Sequence, residues 1–171
     1  MKPKVKRVSK DEYYLGIARE VGRRSTCWRR VIGAIIVRDD QIISTGYVGA
    51  PRKTKDSHEH GFCLRDRLKI PHGERYELCR SVHAEQNAII NAARAGVSLL
   101  GGDMYIFGSA FESDERINAF PCFICKKMIV NSGLNRVVCS ISDGGKKVFR
   151  VSRWIKEWKE KDILDDRHQY G

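Results

Sequence analysis

The 171-residue sequence has no run approaching the roughly 20 consecutive apolar residues of a membrane-spanning helix, which argues against a membrane partner. Its first residues carry no apolar core of a secretory signal, so the expectation is a cytoplasmic protein in a reducing compartment. Internal repeats and low-complexity tracts are absent, and 42% hydrophobic with 31% charged residues excludes the disordered and fibrous classes. Acidic residues are scarce: 21 stand against 32 Lys and Arg, for a net charge of +11. That imbalance favours an anionic partner, a nucleotide phosphate or a nucleic acid. Part of the excess sits in Lys2, Lys4, Lys6, Arg7 and Lys10, which read as a basic, solvated arm over 1–10 ahead of one domain over 11–171.

Hydrophobic periodicity sets out the elements. Tyr14, Ile17, Ala18 and Val21 recur at helical spacing, so 11–23 reads as a helix capped by Ser9 with Glu12 three positions on. The β-branched run 31–37, an Asp39-Asp40 turn and the segment 41–47 read as a hairpin. Residues 49–77 form a long loop with one short helix over 64–70, a length that calls for something to pin it. Then follow a helix over 83–95, a strand over 104–107, a polar segment over 108–119, a helix over 122–131 and a fourth strand over 136–141. The last helix, over 148–161, carries Val151, Trp154, Ile155 and Trp158 on one face, which predicts packing against the sheet. This order predicts an α/β protein in which helices cover both faces of a central mixed sheet.

The chemistry lies in His83-Ala84-Glu85 at one helix start and Pro121-Cys122-Phe123-Ile124-Cys125 at another. Imidazole and two thiolates suit zinc, and stopping at three ligands leaves a tetrahedral position open, the mark of a catalytic rather than a structural site. Glu85, two residues beyond His83, can stand beside the metal without ligating it and move protons as general base and acid. Helix N-termini favour thiolates through their partial positive charge. A Cys-x-x-Cys pair alone would also suit a redox motif, but that reading leaves Glu85 without a role. His-x-Glu followed by Pro-Cys-x-x-Cys is the pattern of the zinc deaminases.

The runs Gly33-Ala34-Ile35-Ile36-Val37, Gly46-Tyr47-Val48-Gly49-Ala50-Pro51, Cys79 to Ile89 and Pro121 to Cys125 resemble the deoxycytidylate deaminase family, in particular its late-competence branch. The resemblance covers most of the chain and implies a three-layer α/β/α cytidine deaminase-like sandwich that converts dCMP to dUMP. It also implies a homo-oligomer, commonly a hexamer, with dCTP as activator and dTTP as inhibitor. Several members carry a second, structural zinc. The corresponding candidates here are Cys27, His58, Cys63 and Cys79, with His60 as an alternative to His58.

Substrate contacts are expected from Val48 and Ala84, and phosphate contacts from Arg24 and Arg52, which flank the hairpin. Relatives carry asparagine where this chain has Val48, and valine cannot hydrogen-bond a sugar hydroxyl. The segment 108–119 is also longer than the turn relatives carry there, which makes it a candidate lid, specificity loop or assembly contact. Two other readings follow from the same residues: a deaminase acting on a base in RNA or DNA, motivated by the charge, and a nucleotide-binding regulator that keeps its zinc. The nucleotide enzyme is preferred, because no strand combines aromatic and basic residues into a platform for single strands.

Overall fold

A computed structural model of the protein describes residues 7–71 and 73–161. Most of the basic arm read over 1–10 therefore lies outside the described residues, while Lys10 opens the first helix. That helix, α1 (Lys10–Gly22), begins with a reciprocal cap in which Ser9 Oγ accepts from the Glu12 N–H and the Ser9 N–H donates to Glu12 Oε2. Strands β1 (Arg30–Arg38) and β2 (Gln41–Tyr47) form an antiparallel hairpin. Its two turn residues, Asp39 and Asp40, both take positive φ, 50° and 63°, as a two-residue hairpin turn of the favoured twist requires. Asp40 tolerates that backbone while accepting from the Tyr14 hydroxyl at 2.7 Å, which pins the turn to α1.

The loop region holds two short helices, α2 (Ser57–His60) and α3 (Leu64–Arg67), and a 3-10 turn at Tyr76–Leu78. The sequence reading placed one helix there and missed α2, although Asp56 and Glu59 form a second reciprocal cap that was open to the same argument. After the loop come α4 (Ala84–Arg94), β3 (Asp103–Ala110), α5 (Phe123–Asn131), β4 (Arg136–Ser140), β5 (Lys146–Arg150) and α6 (Val151–Glu160). The sheet order is β2-β1-β3-β4-β5, with β3 and β4 parallel and the other pairs antiparallel.

Strand residues alternate between the two faces. Ala34, Ile36, Met104, Ile106, Val137 and Cys139 point to a core shared with α4, α5 and α6. Ile35, Val37, Tyr105 and Val138 point to a core under α1. Burial on both sides explains the unbroken apolar run in β1. The fold is thus the three-layer α/β/α sandwich that the resemblance implied.

Among the described residues five strands form the sheet where the sequence reading had four. Lys146–Arg150 is an edge strand whose lysines and exposed Val148 lack the inward alternation of a half-buried strand, so the apolar stripe of α6 appeared to start early at Val148. The turn before it, Asp143-Gly144-Gly145, is a hairpin signal that could have separated the two. Strand β3 runs on to Ala110, and 110–117 folds back on it through Ala110 N–H to Glu115 O (2.8 Å) and Ile117 N–H to Gly108 O (3.0 Å). The longer segment is therefore a tight return along the end of β3.

Helix α4 lies against β2 with almost no space between backbones. A Cβ on Gly46 would fall 2.3 Å from Ala88 N and 2.5 Å from Ala84 O. Ser44 Oγ donates to Ala88 O (2.6 Å), Asn87 Nδ2 to Tyr47 O (2.8 Å) and Asn91 Nδ2 to Thr45 O (2.7 Å). Gly46→Ala is expected to lower folding stability by about 1–3 kcal/mol, the usual cost of overpacking a tight contact. Urea denaturation of the variant against the parent measures it, and an unchanged midpoint would contradict the seating described.

Candidate metal centre and adjoining cavity

The seating of α4 on β2 carries its first residues to the start of α5. His83 occupies the N-cap position of α4 and Cys122 that of α5, each with extended backbone (φ −68°, ψ 154° and φ −66°, ψ 168°). The His83 N–H donates to Gln86 Oε1 at 3.2 Å, which fixes the entry to α4. Pro121 precedes the cap of α5, and Cys125 lies buried in its first turn. His83 Nδ1 is 3.5 Å from Cys122 Sγ and 3.4 Å from Cys125 Sγ, and the three donor atoms lie within 4.8 Å of one another.

Usual zinc–nitrogen and zinc–sulfur lengths at a tetrahedral angle put a coordinating N and S about 3.6 Å apart, so the trio is spaced to receive zinc with little movement. The thiols are electrically prepared for it. A hydrogen bond from Cys125 holds the Cys122 thiol well below its ordinary range, while that same bond and burial push Cys125 up. Cys122 is thus the more readily ionised of the two, and a divalent cation supplies what the second thiolate needs.

Glu85, 6% exposed, occupies the second position of α4. Burial pushes its carboxyl above the usual carboxylate range, and it also interacts with the Cys125 side chain. A carboxyl raised in this way sits closer to neutral pH, where both gaining and losing a proton are accessible.

His83, Ala84, Glu85 and Cys122 line one end of a cavity that also includes Val48, Phe120 and Tyr76. Val48 is held by its own backbone, its N–H donating to Ile32 O (3.0 Å) and its carbonyl accepting from Thr26 N–H (3.1 Å). Gly49 and Val82 exchange two hydrogen bonds, of 3.1 and 2.8 Å, which tie the loop after β2 to the residue before His83. The isopropyl group of Val48 thus becomes an apolar wall of the cavity.

Other expected site residues are distributed differently. Cys27, Cys63 and Cys79 line the same cavity, while the His58 ring packs at a tilt against Trp28 (ring centroids 4.9 Å apart) and Phe111 (5.4 Å). Among the described residues, His83, Cys122 and Cys125 are the group whose donor atoms are gathered within metal-binding distance. Arg24 is exposed and stands outside the cavity lining, and exposed Arg52 donates to Asn91 Oδ1 at 2.6 Å. The cations that do line the cavity are Arg29, Arg30, Arg65 and Arg80. Sequence reasoning missed them, together with Tyr76, because they lie in or beside a loop without periodicity, where spacing says nothing about direction. The sixth cysteine, Cys139, is fully buried in the core.

A His-Cys-Cys trio and a buried glutamate at two converging helix N-termini, on an α/β/α sandwich, define a metal-dependent hydrolase site. The model of the cytidine and deoxycytidylate deaminase zinc-binding region matches residues 8–141, and the chain belongs to that family, whose cofactor is zinc. The chain is 35% identical over 134 residues to the deoxycytidylate deaminase of Mycobacterium phage D29, covering 75% of this chain and 91% of the phage protein. It is 31% identical over 132 residues to the deoxycytidylate deaminase of Schizosaccharomyces pombe, covering 77% of this chain but only 37% of the yeast protein's length. Among solved structures, the dCMP deaminase of cyanophage S-TIM5 in complex with dCMP and dUMP matches with a TM-score of 0.53 and 26% identity, covering 80% of this chain and 81% of that one.

Cys122→Ser is expected to lose the metal of this trio while the sheet and helices remain. Metal analysis by mass spectrometry alongside circular dichroism reads both. Full retention of zinc in the variant would remove Cys122 from the ligand set.

Proposed function

We propose that the protein is a zinc-dependent deoxycytidylate deaminase, hydrolysing dCMP to dUMP and ammonia. The observation that carries this reading is the placement of Glu85 beside the His83-Cys122-Cys125 trio, in the wall of the adjoining cavity. The substrate assignment is supported by the phage relative's designation and by the cyanophage structure's bound dCMP and dUMP.

Zinc held by His83, Cys122 and Cys125 supplies a Lewis acid that lowers the pKa of a water molecule. The residues of this chain do the rest. Glu85 takes a proton from the water as it adds to C4 of the pyrimidine and passes it to N3, then moves the proton of the new C4 hydroxyl to the departing amine, so that water and dCMP become dUMP and ammonia. Val48 and Ala84 bound the nucleoside, and Val48 offers the sugar no hydrogen bond.

Glu85→Gln should lower turnover by roughly 10²- to 10⁴-fold, the range for a lost general base, while zinc content is unchanged. Ammonia release is measured with dCMP, CMP, dCTP, deoxycytidine and a cytosine-containing single strand in parallel. Turnover of the single strand in preference to dCMP would overturn the assignment in favour of a deaminase acting within nucleic acid.

The proposal includes a second zinc that pins the loop 49–79, with Cys27, Cys63 and Cys79 as thiolate ligands and His58 or His60 as the fourth. The three thiols already line one cavity, and His60 Nε2 is buried without a hydrogen-bond partner. Two zinc ions per chain are expected by metal analysis, falling to one in Cys63→Ser with a lowered Tm; one ion in the parent would end this part. The family resemblance further supports a homo-oligomer of hexameric type, activated by dCTP and inhibited by dTTP.

A further inference from the structure

The return over 110–117, expected from the sequence to be a lid, a specificity loop or an assembly contact, is fastened to the body of the domain by two side chains. Arg116 donates to two carbonyls of the β4–β5 turn, from Nη1 to Gly144 O (2.8 Å) and from Nη2 to Gly145 O (2.6 Å), and its guanidinium lies 5.1 Å from the centre of the Phe107 ring. Asp114 takes a positive φ of 54°, and its carboxylate accepts from Ser109 Oγ (2.8 Å) and from Arg19 of α1 (3.2 Å). The exposed Arg19 pair contributes little by itself, so Arg116 is the main anchor.

Phe111 is where the return meets the loop wall of the cavity. Its N–H donates to Arg29 O at 3.3 Å, and its half-buried ring packs against two others. The Trp28 ring is 5.4 Å away at an interplanar angle of 72°, and the His58 ring is 5.4 Å away at 58°. Trp28 and His58 are themselves 4.9 Å apart, so the three rings close a triangle. Tilted and edge contacts at such separations are favourable geometries for aromatic pairs. The triangle also holds backbone, because Trp28 Nε1 donates to Ser57 O at 2.7 Å, and Ser57 is buried and lines the catalytic cavity.

Helix α2 depends on support of this kind. A single turn of four residues is far below the length at which a helix is stable by itself, so α2 keeps its place through contacts with the rest of the chain. We propose that Phe111 is a positioning residue: through Trp28 and His58 it passes the rigidity of the anchored return to α2 and keeps the Ser57 side of the catalytic cavity closed. Its ring is not part of the cavity lining, so it acts through these neighbours. The return is a fixed brace and not a lid that moves. The effect on catalysis rests on the deaminase reading; the effect on the loop does not.

The test is hydrogen exchange of the full-length, zinc-containing protein, read by mass spectrometry on peptides over 54–62, with zinc content and Tm measured on every sample. F111A should speed exchange of the His60 and Gly61 amides, which donate to Asp56 O and His58 O, by about tenfold or more, as loss of aromatic contacts holding a local unit does. F111Y, which keeps the ring, should exchange like the parent. R116Q, which removes the anchor and leaves the triangle intact, should speed the same amides by about threefold or more. E112Q, at an exposed position of the return, should change nothing. With dCMP as substrate, F111A should raise KM about three- to tenfold and leave kcat within about twofold, because the wall is loosened while Glu85 and the metal trio are undisturbed.

Unchanged exchange over 54–62 in F111A or in R116Q would overturn the proposal. So would a rise shared equally by peptides of β1 and β3, since Phe111 would then support the fold as a whole. Loss of zinc from F111A would overturn it too, because the loop would then loosen through its metal, and an F111Y as open as F111A would show that the ring contact is not the cause. Loosening at the parent's KM would separate the brace from the cavity and end the proposal in that way. The two readings fail separately: local loosening without ammonia release from dCMP by the parent sinks the deaminase assignment alone. Turnover of dCMP by F111A with the parent's KM and the parent's exchange sinks the brace alone.

Discussion

The backbone contact between α4 and β2 is the constraint on which the rest of the site depends. Gly46 lets the helix approach until a single added carbon would collide with it. Three side chains, Ser44, Asn87 and Asn91, then hydrogen-bond across the seam and fix the helix along the strand as well as above it. The position of His83 follows, because an N-cap residue goes where its helix begins. A looser contact would separate the imidazole from the thiols of α5, and nitrogen-to-sulfur distances of 3.4 and 3.5 Å leave little tolerance.

Electrostatics builds on that geometry. Two helix N-termini point their unpaired N–H groups and partial positive charge toward one place, which favours thiolates at Cys122 and Cys125. The buried carboxyl of Glu85 beside them keeps a raised proton affinity because solvent does not stabilise its charge. The cavity beyond is cationic. One small volume therefore combines a His-Cys-Cys group spaced for a metal ion, a buried carboxyl and a wall of arginines.

Much of this was legible in order along the chain. The cap at Ser9, the Asp39-Asp40 turn and, of the stripe read on the last helix, Val151, Trp154 and Trp158 are local features that sit where spacing indicates, while Ile155, expected on the same face, is exposed. Features whose signal is spread out or weak were harder to read. Strand β5 presents two lysines and an exposed valine at an edge, so its burial pattern carries no period, and α2 is a single turn whose cap was overlooked in a polar loop.

The sequence by itself determined which side chains are of a type to bind a metal or carry a proton, and that the chain is basic, with 32 basic and 21 acidic residues. Those properties belong to side chains and short spacings, and folding does not change their type. Only the tertiary structure decided which arginines line the cavity. Arg24 and Arg52 flank the hairpin in sequence yet lie outside the cavity lining, whereas Arg65, some 20 positions before His83, reaches its neighbourhood through Tyr76. A loop without periodicity has its side-chain directions set by the contacts it closes, and those contacts come from residues distant along the chain.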